Sequence, residues 1–180
     1  MIHSKVSHFM IKINQKAKFT NTILIIPDIR SAENVGSMFR TADASGVDKI
    51  YITGYSPTPL DKYGRKRKDV AKTALGAEDV VSWEYKKSAI PLINKLKKDG
   101  YKIVALEQDE RSIDYRQLDQ FFRGKASKKL VLIVGNEVAG LDKKTLGQCD
   151  VIIEIPIRGK KESLNVAVSF GVAIFRILDI

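Results

Sequence analysis

Three groups of residues stand out from this 180-residue chain because their types and spacing could do chemistry. The first is Asn34-Val35-Gly36-Ser37-Met38-Phe39-Arg40. Gly36 and Arg40, four residues apart, share a helix face away from Val35, Phe39 and Ala42, so the missing side chain at Gly36 is expected to leave open space beside the guanidinium. The plainer reading makes Asn34 a helix cap and Arg40 a surface charge. The second group is Gly135-Asn136-Glu137-Val138-Ala139-Gly140-Leu141, directly after an apolar run at 130–134. A glycine ending such a run lets a ligand approach the backbone; otherwise the group is a strand-to-helix turn with Glu137 in the first helical turn. The third runs from Ile155 through Pro156, Ile157, Arg158 and Gly159 to Ser163, Leu164 and Asn165. Ser163 there is a candidate N-cap for the apolar helix behind it.

Much familiar chemistry is absent. Cys149 is the only cysteine, so neither an intrachain disulfide, a Cys-based zinc site nor a Cys-x-x-Cys redox pair can be built, and no metal is expected. No Gly-x-Gly-x-x-Gly follows an apolar run and no Gly-x-x-x-x-Gly-Lys-[Ser/Thr] occurs, which argues against a dinucleotide-type phosphate cradle and a P-loop.

These groups must be held by regular elements, and the chain supplies an alternation of them. Short β-branched and aliphatic runs at 22–26, 49–53, 79–83, 102–106, 130–134 and 151–155 read as strands buried on both faces. Helical periodicity occupies about 33–46, 86–98, 115–123 and 163–178. The expected fold is therefore α/β, with a mainly parallel sheet of about six strands and helices on both faces. All three groups then fall at the C-terminal ends of strands, where open α/β sheets bind ligands. The last helix is apolar nearly all round, which requires burial in the core or against a second subunit. The segment 56–67, with Pro57, Pro59 and Gly64, reads as a long mobile loop. Residues 1–20 read as a basic extension to a single domain at 21–180.

Charge adds a partner. The chain carries 31 Lys and Arg against 21 Asp and Glu, a formal charge of +10. The excess is concentrated at residues 1–20, 62–72, 123–129 and 158–162, which favours a nucleic-acid surface over a uniform solubility coat. The most apolar segment, Leu164 to Phe175, is twelve residues long, whereas a membrane span needs about 20. A soluble, cytoplasmic protein with no membrane partner is expected.

In order along the chain, Asn-x-Gly-x-x-x-Arg, Gly-Asn-Glu-x-x-Gly-Leu and Ile-Pro-Ile-x-Gly-x-x-x-Ser-Leu-Asn-Val closely resemble motifs 1, 2 and 3 of the SpoU/TrmH family of RNA ribose methyltransferases. Lys72-Thr73-Ala74-Leu75-Gly76-Ala77-Glu78 is similar to the segment between the first two motifs in compact members. The resemblance implies a C-terminal trefoil knot, a homodimer, and transfer of a methyl group from S-adenosylmethionine to a ribose 2′-hydroxyl of tRNA or rRNA. It further implies a cofactor site walled by Leu106, Gly135, Asn136, Gly140, Ile155, Ile157, Ser163 and Leu164. Arg40 matches the family's reactive arginine, either as a transient base or as a charge that stabilises the developing alkoxide. Asn34, Glu137, Ser163 and Asn165 match the polar residues that orient it and the ribose. Arg65, Lys66, Arg67 and Lys68, with residues 1–20, are expected to grip RNA phosphates. A catalytically inactive RNA-binding protein of the same fold is the alternative, separable by a methyl-transfer assay.

Overall fold

The computed structural model describes residues 19–122 and 128–180. Its centre is β1 (Asn21–Pro27), whose alternating side chains divide between two cores. Leu24 and Ile26 point into one, Ile23 and Ile25 into the other, and all four are buried. Burial on both faces is what a parallel sheet covered by helices requires. The sheet has seven strands in the order β3-β2-β1-β6-β4-β7-β5. They are β2 (Lys49–Thr53), β3 (Ser82–Lys86), β4 (Lys102–Leu106), β5 (Ile113–Asp114), β6 (Lys129–Val134) and β7 (Val151–Glu154) besides β1, and every pairing is parallel.

On the Leu24 side lie α1 (Ala32–Ser45), α2 (Lys68–Ala74), α3 (Ala77–Val80), α5 (Leu118–Phe122) and α7 (Val166–Leu178). On the Ile23 side, α4 (Ala89–Lys98) packs Leu92, Ile93 and Leu96, and α6 (Lys143–Leu146) adds Leu146. Phe19 is buried and meets Phe122 edge-on, so the described chain joins the core two residues before β1. The rest of the basic N-terminal segment, at 1–18, and most of the 123–129 cluster lie outside the described residues.

Four expectations shift. The seventh strand, β5, is two residues long, too short to show a period. The strand expected at 79–83 begins at Ser82, because Asp79 and Val80 belong to the short helix α3. The last helix starts at Val166 rather than 163, and its cap is Asn165, whose Oδ1 accepts from the N–H groups of Ala167 (2.9 Å) and Val168 (3.3 Å). The 56–67 segment is an organised turn: Leu60 and Lys66 form an antiparallel bridge, and Asp61 accepts from the N–H groups of Tyr63 and Arg65.

Candidate active site

The loops leaving β1, β4, β6 and β7 meet at the C-terminal edge of the sheet. Ser31 caps α1 by accepting from the Asn34 N–H at 3.1 Å, so Asn34 is not the cap. Its side chain is left for tertiary contacts. The Asn34 amide donates to Glu137 Oε1 at 2.9 Å, and the Asn165 amide donates to Asn34 Oδ1 at 3.0 Å. Glu137 also accepts from the N–H groups of Arg30 (3.1 Å) and Ser31 (3.3 Å). One residue from each of the three sequence groups is thereby joined in a single chain of hydrogen bonds.

Glu137 is kept ionised by this setting. Partial burial pushes its carboxyl up, but the Arg30 N–H, the Asn34 amide, its own N–H and that of Ser31 outweigh burial and bring it below the ordinary 4.5. A carboxylate held that way orients neighbours and is a poor proton acceptor at neutral pH.

Beside the network lies a cavity of about 330 Å³, within the range of small-molecule sites. Leu106, Gly135, Asn136 and Glu137 line it from the β4 and β6 loops. Ile155, Ile157, Ser163, Leu164 and Asn165 line it from the segment between β7 and α7. Gly140 does not; it borders a second cavity on the far side of Asn136.

Glu107, which the sequence reading did not single out, explains two glycines. Its Oε2 accepts from the Leu141 N–H at 2.8 Å, and a Cβ would sit 2.0 Å from that oxygen at Gly135 and 2.6 Å from it at Gly140. Both glycines therefore make room for a carboxylate of this chain as well as for a ligand. Nothing in the local sequence ties position 107 to the second group.

Arg40 stands apart. It is exposed on α1, six residues and so about 9 Å along the axis from Asn34, and it is not part of the cavity wall. Gly36 does not open space beside it. A Cβ there would lie 2.3 Å from the Val70 carbonyl oxygen and 2.2 Å from Thr73 Oγ1, so this glycine lets α2 seat against α1. The expected RNA-gripping residues are mostly paired. Arg65 Nε meets Asp61 at 2.8 Å, Lys66 bridges Glu78 (2.9 Å) and Asp79 (2.6 Å), and Arg67 Nε meets Asp69 at 3.0 Å. Lys68 alone of the four makes no ion pair among the described residues.

Other reactive groups are scarce. Burial pushes the Cys149 thiol up to about 11, so it is not a nucleophile at neutral pH. Among the described residues no group of three His, Cys, Asp or Glu could hold a metal ion, and no helix is long and apolar enough to cross a membrane.

Comparison with known proteins identifies a family. The model of the SpoU rRNA methylase family matches residues 21–175. A protein of Staphylococcus saprophyticus named as a TrmH family tRNA/rRNA methyltransferase is 32% identical over 157 residues, covering 87% of this chain and 58% of its own length. Among solved structures, an AdoMet-bound rRNA methyltransferase from Sinorhizobium meliloti superposes with a TM-score of 0.76 at 26% identity, over 88% of this chain and 56% of that one. The A. aeolicus TrmH/SpoU tRNA modifying enzyme gives 0.74 at 25% identity, over 91% and 77%. The chain spans about three fifths of the length of the curated relatives it matches. It belongs to the SpoU methylase family.

Proposed function

We propose that this member of the SpoU family transfers the methyl group of S-adenosylmethionine to a ribose 2′-hydroxyl of tRNA or rRNA, and does so as a homodimer in the cytoplasm, where both substrates are found. The observation that carries the reading is the Asn34–Glu137–Asn165 network on the rim of the 330 Å³ cavity.

The cavity's composition fits the cofactor. Leu106, Ile155, Ile157 and Leu164 offer apolar walls for an adenine, and the carboxylates of Glu107 and Glu154 suit a sulfonium and an ammonium. Bound there, S-adenosylmethionine supplies an already activated methyl group. The protein then has to hold the ribose hydroxyl near attack distance, about 3–3.5 Å, and manage its proton. Glu137, as an anion, fixes the Asn34 amide, and Asn34 fixes Asn165, so the rim presents a set orientation to the sugar. Ser163, exposed on the same rim, is a further hydroxyl for it. Arg40 is the remaining group for the reacting oxygen. A guanidinium is a pure hydrogen-bond donor, so its role is to stabilise the alkoxide as the hydroxyl proton departs to solvent water.

A second copy accounts for the distance of Arg40 from the cavity. Val168, Val172 and Phe175 fall on one stripe of α7 and are 51%, 39% and 38% exposed. α1 packs on α7 next to that stripe, with a Cβ at Gly171 falling 3.8 Å from Thr41 Cγ2. A partner docked on the stripe would meet Arg40 close by. The family's trefoil knot belongs to the same reading. RNA phosphates are gripped by Lys68 with Arg158, Lys160 and Lys161, and less by Arg65, Lys66 and Arg67, which already face carboxylates.

The test is calorimetry with S-adenosylmethionine, followed by transfer of a labelled methyl group to total RNA and digestion to nucleosides. Label in 2′-O-methyl nucleosides is the expected result. Label on a base, or no transfer by a protein that binds the cofactor, would overturn it. Light scattering checks the dimer, and a monomer at micromolar concentration would remove it.

A further inference from the structure

The second cavity, about 250 Å³, shares one wall with the first. That wall is the side chain of Asn136. Its Oδ1 accepts from the N–H groups of Val138 (2.8 Å) and Ala139 (3.0 Å), and its amide donates to Tyr55 Oη at 2.7 Å and to the Asp28 carbonyl. The partition is therefore rigid. The reading of the first cavity leaves the second without a task.

Its lining is unlike a phosphate site. Asp28 and Asp142 edge it, and Tyr55 stands at its mouth with 58% of its surface exposed. Tyr55 is pinned at both ends, its N–H donating to Asp28 Oδ1 at 3.2 Å and its hydroxyl held by Asn136. Asp28 adopts φ 51°, and a Cβ at Gly54 would lie 1.9 Å from its Oδ1, so a left-handed aspartate and a glycine together aim this carboxylate. Asp142 is held ionised because the Thr145 N–H outweighs its burial. A fixed, exposed aromatic face beside carboxylate acceptors is the chemistry that receives an unstacked nucleobase: the ring stacks, and the acceptors meet N–H groups on its edge. The two negative charges exclude a phosphate and favour a base carrying an exocyclic amine. A base seated here has its sugar beside Asn136, next to Glu137 on the rim of the first cavity.

We infer that the second cavity holds the base of the nucleotide being methylated, and that it selects guanine, adenine or cytosine over uracil. This rests on the methyl-transfer reading, and the experiment separates the two. With the first cavity saturated by S-adenosylhomocysteine, binding of guanosine, adenosine, cytidine and uridine is measured by ligand-observed NMR for the wild type, Tyr55→Ala, Tyr55→Phe and Asp142→Asn. Amino-bearing nucleosides should bind at least about fivefold more tightly than uridine, whose base has an N3–H but no exocyclic amine. Tyr55→Ala should weaken them about tenfold, while Tyr55→Phe, which keeps the ring, stays within about twofold. Asp142→Asn, which keeps the helix cap, should reduce the preference. Calorimetric affinity for S-adenosylhomocysteine reports that each variant is folded. Equal binding of uridine, or a folded Tyr55→Ala protein that binds nucleosides normally, overturns the inference. A wild type that methylates RNA yet ignores nucleosides sinks this site alone. Tyr55-dependent nucleoside binding without methyl transfer sinks the other reading alone.

Discussion

The rim of the first cavity and the basic turn at 60–68 are both polar, glycine-bearing segments at the surface, and they use charge in opposite ways. At the rim, the Glu137 carboxylate is met by neutral N–H donors, while Arg30, Arg158, Lys160 and Lys161, on the segments that form it, make no ion pair among the described residues. In the turn, Arg65, Lys66 and Arg67 each have a carboxylate within 3.0 Å. The denser cluster of positive charge is the one already neutralised. Charge counted along a sequence is therefore not charge available to a partner.

The widest separation should come from Arg40. Arg40→Ala is expected to lower kcat for RNA methylation by about 100-fold or more without changing the calorimetric affinity for S-adenosylmethionine, because a charge at the reacting oxygen acts on the transition state. Arg40→Lys should retain part of the activity over a broad pH range; a steep dependence on one ionisation would assign it the role of base instead. Next comes Lys66. The Glu78 side chain is 2% exposed, so Lys66→Ala leaves a buried carboxylate without its cation and should lower the thermal midpoint by about 2–4 °C. Arg65→Ala, which breaks an exposed pair, should leave the midpoint unmoved.

A smaller effect concerns acid. The folded-state carboxyl of Glu137 titrates below its unfolded value, so its contribution to stability is complete above pH 4.5 and is lost as pH falls through the folded value. Melts of the wild type and Glu137→Gln should differ at pH 6 and converge toward pH 3; a constant gap would show that the network acts without the charge. The smallest effect sharpens the contrast directly. Arg65→Ala with Arg67→Ala should change the slope of log affinity against log salt for total tRNA by less than one, whereas Lys160→Ala with Lys161→Ala should reduce it by about 1.5. Equal slopes would erase the distinction between the two regions.

How much was legible follows from how each feature is encoded. The long strands and α1 are written locally, the strands as continuous apolar runs and the helix in a period of 3.6, and both are where the sequence puts them. The three groups were visible because each is contiguous. α2 and α3 were not, since helices of seven and four residues owe their form to packing on α1 rather than to a period of their own. Ser163 and Asn165 are equally good N-cap types, so composition does not choose between them, and only Asn165 both caps α7 and reaches Asn34. The missing side chain at Gly36 suggests an opening toward a guanidinium, but one sequence cannot say which neighbour fills a gap, and here it is the backbone of α2. The pairing of Lys66 with Glu78 likewise depends on where α3 is placed by the fold.

Glu107, Gly135 and Gly140 behave as one lock in three pieces. A methyl group at either glycine would collide with the carboxylate, and the carboxylate's hydrogen bond to the Leu141 N–H is what holds that turn against β4. Neither glycine can take a side chain while the carboxylate keeps its place. In descent, relatives that have lost the acid at 107 are accordingly the ones expected to carry a side chain at 135, whereas position 140, at φ 62°, keeps its need for glycine with or without the acid.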